Sequence, residues 1–447
     1  MIRSFYSLIT ILAQPVLRAK LRRRGVAEPG YLHAVDERFG RYKVARPDAD
    51  AAKGRPLVWI HAVSLGEARA AAILLAALRQ RWPAMRLLLT HGTATGRAEG
   101  QKLLREGDVQ VWQPWDTPAA TRQFVRCFRP DVGVLMETEI WPNLVAACAA
   151  QGVPLALANG RLSEKSLRGA QRAGWLMRPA YAALSAVWAQ TALDAERYAA
   201  LGAPVAGVFG NLKFDADPDR AQHACGRAWR VALRQRPVLM LASSREGEEA
   251  ALIEQIKGSM RTGSSFDAIE SISGDVANGV ADPLWLIVPR HPQRFAEVAA
   301  LARAAGLRVV QRSTWADAPP AQALQADVWV GDSLGEMALY YGVADVALLG
   351  GSFEPLGGQN LIEAAACACP VVMGPHTFNF AQAAELAEAE GAARRVADMP
   401  AAVEAARHFL ADRSRLHTMR DAAKRFAGAH RGAADRTAHA VVGLLAE

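Results

Sequence analysis

What most limits the fold of this chain is a series of short apolar runs, each followed by a stretch at helical spacing. L-V-W-I-H (57–61), R-L-L-L-T (86–90), V-Q-V-W (109–112), D-V-G-V-L-M (131–136), P-L-A-L-A (154–158), A-V-W-A-Q (186–190) and A-G-V-F-G (206–210) read as buried strands. Strands this apolar, alternating with helices, predict a parallel, doubly wound sheet covered on both faces. From Asp215 to Arg236 the pattern turns polar and helical, and then the alternation restarts. P-V-L-M-L-A (237–242), P-L-W-L-I-V (283–288), L-R-V-V (307–310), D-V-W-V (327–330), V-A-L-L-G (346–350) and P-V-V-M (370–373) follow. The expected fold is therefore α/β, with two Rossmann-like domains facing each other across a cleft. The expected boundaries are 1–24 for an N-terminal membrane helix, 25–217 for the first domain and 218–447 for the second, with a hinge near Pro218. The second domain is expected to end in helices, because the Ala- and Arg-rich stretch from Pro400 shows helical periodicity. Gly258 to Asp282, rich in Gly, Ser and Asp, reads as a loop inserted in the second domain.

The chain's 447 residues carry a net charge of +8, which favours an anionic partner. No zinc-finger, RNP or helix-turn-helix pattern is present, so lipid or phosphate is expected and nucleic acid is not. The N-terminus, M-I-R-S-F-Y-S-L-I-T-I-L-A-Q-P-V-L, is too short to span a bilayer as one helix and is broken by Pro15. It reads as an interfacial helix, with Arg18, Lys20, Arg22, Arg23 and Arg24 on anionic headgroups; a short tilted span and an ordinary core helix with a solvated basic end are the alternatives. The five cysteines lack C-x-x-C spacing and read as reduced, buried thiols. No histidine cluster predicts a metal, and no cofactor is expected.

Four stretches at expected strand ends carry candidate chemistry. S-L-G-E places Glu67 where a strand gives way to a helix, as either a helix cap or a catalytic acid. M-E-T-E-I-W-P-N holds Glu137 and Glu139. Glu139 reads as a cap for the helix that opens at Pro142, and Glu137 as either a cap or a working group. G-N-L-K-F-D places Lys213 at the expected cleft mouth, where a cation can meet a leaving phosphate; a plain surface lysine is the alternative. The fourth set lies in the second domain: P-R-H-P-Q-R with Pro289 and Arg290, G-D-S-L-G-E with Leu334, Gly335 and Glu336, and G-G-S-F-E-P-L-G-G-Q-N-L-I-E. Paired glycines, a helix start near Asn360 and Arg290 together suggest a nucleotide phosphate site, with Glu363 placed for ribose hydroxyls. Neither a Walker A motif nor G-x-G-x-x-G occurs.

These motifs, in this order, resemble those of the bacterial 3-deoxy-D-manno-octulosonic acid (Kdo) transferases of lipopolysaccharide assembly. H-A-V-S-L-G-E, E-T-E-I-W-P-N, N-G-R-L-S, G-N-L-K-F-D, R-E-G-E-E, V-P-R-H-P-Q-R-F, G-D-S-L-G-E-M, G-G-Q-N-L-I-E-A and M-G-P-H-T-F-N-F carry the resemblance across nearly the whole chain. Where family members often have Thr-His before E-G-E-E, this chain has Ser244-Arg245. The resemblance implies a membrane-associated, metal-independent glycosyltransferase of the GT-B fold at the cytoplasmic face of the inner membrane. It implies CMP-Kdo as donor and a lipid A precursor (lipid IVA) as acceptor, with anionic lipid as the surface partner. Glu67 would be the general base, and Glu137 and Lys213 would support the transition state. Pro289, Arg290, Leu334, Gly335, Glu336, Asn360, Leu361, Ile362 and Glu363 would bind CMP. Another nucleotide sugar such as a UDP-hexose, or a non-catalytic nucleotide-binding membrane protein, are the alternatives.

Overall fold

A computed structural model describes residues 2–50, 53–261 and 282–445. The stretch read as an inserted loop falls mostly on residues 262–281, outside the described residues; Gly258 belongs to the helix Glu248–Arg261. The described chain divides into two compact units, residues 1–215 with 430–447, and residues 216–429.

The first unit holds a seven-stranded sheet: β1 (Leu57–His61), β2 (Arg86–His91), β3 (Val109–Trp112), β4 (Val132–Met136), β5 (Leu155–Gly160), β6 (Ala186–Ala189) and β7 (Val205–Val208). Its order is β3-β2-β1-β4-β5-β6-β7, and every pairing is parallel. The second unit holds β8 (Val238–Ser244), β9 (Leu284–Pro289), β10 (Val309–Gln311), β11 (Val328–Val330), β12 (Val346–Leu349), β13 (Val371–Met373) and β14 (Ala393–Arg395). Their order is β10-β11-β9-β8-β12-β13-β14, again all parallel. Each run read as a strand forms one. The short, polar β14 has no such signature and is found only in the structure.

The central strands are buried along their whole length because both sheet faces are covered by helices. Trp59 is fully buried and its indole N–H donates to Thr90 Oγ1 at 2.8 Å, so the polar end of the ring costs nothing to bury. In each sheet the chain leaves a central strand to one side and later crosses to the other. The crossover lies between β1 and β4 in the first unit and between β8 and β12 in the second. Ligands of open parallel sheets bind outside the carboxyl ends of the strands at such a reversal.

The C-terminal stretch is helical, as its periodicity predicts, but it is shared between the units. Met399–Ala411 and Arg413–Ala429 belong to the second unit, and Ala433–Gly443 belongs to the first, where it packs against the helix Leu65–Arg81. Asp215 holds it there, accepting the N–H groups of Gly432 at 2.5 Å and Ala434 at 2.6 Å.

The N-terminus forms two helices, Ile2–Leu12 and Gln14–Ala27. Tyr6 donates to Asp116 at 2.9 Å and Ser7 to Asn143 at 2.9 Å, which ties one face of the first helix to the sheet unit. Phe5, Leu8, Ile9 and Leu12 stay exposed at helical spacing. Among the described residues no helix is long and apolar enough to cross a membrane. The basic block does not all point away from the protein: Arg18 stacks on Phe39 at 3.5 Å and Arg24 lies over Tyr31. The five cysteines are free thiols; Cys148, Cys367 and Cys369 are buried, and Cys127 and Cys225 are half-buried.

Candidate functional site

The first crossover is occupied by Glu67. Ser64 sits at the N-cap of the helix Leu65–Arg81 and accepts the Glu67 N–H at 3.3 Å. The Glu67 carboxylate reaches back: Oε1 accepts from Ser64 Oγ at 3.1 Å and Oε2 accepts the Val63 N–H at 2.8 Å. This is a capping box shifted by one residue. Burial nevertheless pushes the acid up to about 7, against the two hydrogen bonds, and the charges of Glu137 and Glu139 push the same way. Glu67 is thus both the cap and a titratable acid poised near neutral pH.

Glu137 follows β4, the strand across the reversal. Its backbone is left-handed at φ +59°, held by its N–H on Ala158 O and by Tyr198 OH on its carbonyl. Lys213, in the 3₁₀ turn Leu212–Asp215 beyond β7, places Nζ 3.3 Å from Glu137 Oε1. That turn is fixed by Asn159 of N-G-R-L-S, whose Oδ1 accepts the Leu212 N–H at 3.0 Å. Glu67, Glu137 and Lys213 therefore gather in one unit, with neighbouring strand ends supplying the two acids. Glu139 is buried enough that its carboxyl is also raised, opposed by the Trp141 indole. No cap bond from Glu139 to the helix Pro142–Ala150 is seen; Asp116 serves that helix, accepting Asn143 N–H at 3.0 Å and Leu144 N–H at 2.8 Å.

In the second unit the candidate residues lie at the end of β9 and on the segments that follow β9, β11 and β12, with Leu361, Ile362 and Glu363 in the first turn of the helix Leu361–Ala366. Pro289 ends β9, and the Arg290 N–H donates to Ser244 O at 3.0 Å, joining the ends of β8 and β9. Gly350 and Gly351 follow β12. A side chain on Gly350 would lie 2.4 Å from Ser243 O, so only glycine lets the two central strand ends meet. Leu334 is exposed and Gly335 is left-handed, while Glu336 is held by Ser333 and by Arg312 at 2.9 Å. Asn360 caps its short helix through Ile362 N–H, and the side chains of Leu361 and Ile362 are core. Those two can offer a ligand backbone only.

Two carboxylates of the R-E-G-E-E motif, to which the sequence assigns no role, carry structural weight. Glu248 of R-E-G-E-E is buried and accepts the N–H groups of Arg245 at 2.9 Å, Gly351 at 2.8 Å and Phe353 at 3.1 Å, which moors the glycine loop to β8. Glu249 accepts from Ser244 Oγ at 2.8 Å and pairs with Arg294 at 3.1 Å. R-E-G-E-E is one of the motifs that carry the family resemblance, but the sequence names no partner for either carboxylate. Among the described residues no group of three or more His, Cys, Asp or Glu is placed to hold a metal ion.

Residues 33–216 match the family described as 3-deoxy-D-manno-octulosonic-acid transferase. Solved structures share the fold at low identity. A glycosyltransferase from Rickettsia africae has a TM-score of 0.54 at 11% identity, covering 88% of this chain and 99% of that one. The UDP-GlcNAc 2-epimerase of Neisseria meningitidis has 0.53 at 12%, covering 87% and 99%. The two parallel sheets are those of the GT-B fold. The 3-deoxy-D-manno-octulosonic acid transferase of Haemophilus influenzae is 30% identical over 384 residues, 85% of this chain and 83% of its own. That of Bordetella pertussis is 47% identical over 412 residues, 90% of each chain. With that identity sustained over nearly the full length, the chain belongs to the 3-deoxy-D-manno-octulosonic acid transferase family.

Proposed function

We propose that this enzyme moves Kdo from CMP-Kdo to a hydroxyl of a lipid A precursor. The acceptor oxygen attacks the anomeric carbon, its proton passes to Glu67, and the bond to the CMP phosphate oxygen breaks with the electron pair leaving on CMP. The observation that carries this reading is Glu67 itself, an acid at the crossover with a pKa near 7. A general base works best when its pKa is close to the working pH. Lys213, oriented by Glu137, offers a fixed positive charge to the charge that builds as the bonds change. The second unit is read as the donor side, with Arg290 and the loops at Leu334–Glu336 and Asn360–Glu363 on CMP. The proposal includes transfer without a metal, so activity should survive EDTA.

We place the enzyme peripherally on the cytoplasmic face of the inner membrane. The exposed Phe5, Leu8, Ile9 and Leu12 support this, as does the basic segment that follows. The test is purified protein with CMP-Kdo and a lipid A precursor, products read by mass. Steps of one Kdo establish the reaction and count the additions. Turnover with a UDP-sugar and none with CMP-Kdo overturns the donor assignment, and CMP binding without any transfer overturns the enzyme reading.

A further inference from the structure

A cavity of about 330 Å³ opens in the first unit at the carboxyl ends of β1 to β4. Val63 lines it, and the Val63 N–H is the one that Glu67 accepts, so the cavity adjoins the candidate base. One wall is the second N-terminal helix, through Leu17, Lys20, Leu21 and Arg24. Trp115 and Trp141 supply flat apolar surface, which suits the face of a sugar ring.

Two deeply buried polar side chains line this cavity without a protein partner there. His61 is 1% exposed; its Nδ1 meets Thr90 Oγ1 at 2.9 Å, and its Nε2 meets no partner among the described residues. Gln113 is 5% exposed, and neither end of its amide is bonded among the described residues. Burying such groups is costly unless something polar arrives to pair with them. Arg38 is also buried, braced by Gly92 O at 3.1 Å and stacked 3.8 Å over Trp112, with Nε unpaired. Three cations, Lys20, Arg24 and Arg38, thus face the cavity against one acid, Glu139. Burial raises the Glu139 carboxyl, which weakens its opposition to a bound anion.

We propose that this cavity binds a phosphate-bearing sugar of the acceptor, with Lys20, Arg24 and Arg38 on the phosphate and His61 Nε2 and the Gln113 amide on hydroxyls. The proposal rests on reading the first unit as the acceptor side. It makes the second N-terminal helix a wall of the substrate site and not only a membrane contact. A phosphate could also come from a bilayer headgroup, and the experiment separates the two sources.

The full-length protein in neutral detergent is titrated with a glucosamine disaccharide bearing phosphate monoesters and with its phosphate-free counterpart. Wild type is expected to bind the phosphorylated sugar about tenfold or more tightly than the other. The double variant Lys20→Ala/Arg24→Ala, at exposed positions that do not threaten folding, should lose that preference. It should raise the KM for a full acceptor about tenfold while the KM for CMP-Kdo holds. Gln113→Leu should weaken both sugars alike. A preference that survives in the double variant overturns the proposal. So does an effect seen only with acceptor in anionic vesicles, which would assign these cations to the bilayer. If the sugar binds with the expected Lys20/Arg24 dependence but CMP-Kdo is never turned over, the cavity stands and the donor reading falls.

Discussion

Ser64 and Glu67 serve each other across the first turn of one helix: the serine accepts the Glu67 N–H at 3.3 Å and donates its hydroxyl to the Glu67 carboxylate at 3.1 Å. The same carboxylate therefore has a structural and a chemical task, and substitutions can separate them. Glu67→Gln keeps an acceptor oxygen for Val63 or Ser64 and at pH 5, where Glu67 is itself protonated, should fold with a nearly unchanged Tm, yet at working pH it should lose transfer by two or more orders of magnitude, roughly what a general base supplies. Glu67→Ala should lose both, with about 1 kcal/mol of stability gone. Glu67→Gln with near-normal turnover would reduce Glu67 to a cap.

Titration of the same group gives a pH signature. Because Glu67 titrates near 7, kcat/KM should fall about tenfold per unit as pH drops below 7, since the base must be ionised. Stability should move oppositely. The folded carboxyl holds its proton up to about 7 while the unfolded one releases it near the ordinary value of 4.5. The native state thus binds more protons between those values, and stability falls as pH rises through that window, by up to about 3 kcal/mol. Urea unfolding at pH 5 and pH 7.5 checks this, and Glu67→Gln should flatten the difference. A pH-independent difference between the two proteins would contradict the shift.

Glu137 carries a backbone cost for its position. A non-glycine residue at φ +59° costs on the order of 1 kcal/mol, and among the described residues its carboxylate is paired with Lys213. Glu137→Gly should therefore leave Tm level or raise it while transfer collapses. Lys213→Met should impair transfer in wild type and do little more in the Glu137→Gly background. A marked loss of stability in Glu137→Gly would show that the side chain holds the fold.

The loop at the second crossover depends on one carboxylate. Glu248→Ala leaves three backbone N–H groups, on Arg245, Gly351 and Phe353, without their acceptor. Each unpaired buried donor costs about 1–3 kcal/mol, so a loss of at least about 3 kcal/mol is expected in urea. CMP affinity should drop with it, because Gly350 and Gly351 would no longer be held against β8. Calorimetric titration with CMP at a temperature where the variant is still folded checks the second part; undiminished affinity would remove this loop from the donor site.

The pattern of sheets and the place of Glu67 were legible because burial on both faces forces apolar strands and because a parallel sheet puts its loops at one edge. Glu137, Lys213 and the glycine pairs were legible for the same reason, as strand-end residues. What was not legible depends on partners distant in sequence. Glu248 and Glu249 sit in a motif the sequence shows, but their partners, the loop after β12 and Arg294, are distant in the chain. His61 reads as the last residue of a strand, and Gln113 as the first residue past one, until the second N-terminal helix is found lining the same cavity. The strand Ala393–Arg395 is made by its pairing with β13, not by its composition.

The last helix shows the same dependence on a distant residue, and it can be released by one change. Ala433–Gly443 lies on the first unit because Asp215, two residues past Lys213, accepts both N–H groups at its start. Its buried Ala434, Ala438 and Val441 complete the core beside Leu74 and Leu78. Asp215→Ala should remove the cap at a cost of about 1–2 kcal/mol and let this helix detach before the rest unfolds. Hydrogen exchange should then be faster over 433–443 while β1 to β5 keep their protection. The turn that carries Lys213 shares the same anchor, so transfer should fall as well, even though Asp215 touches no substrate. Unchanged exchange in the last helix would mean that apolar packing alone holds it, and that the aspartate serves only the turn.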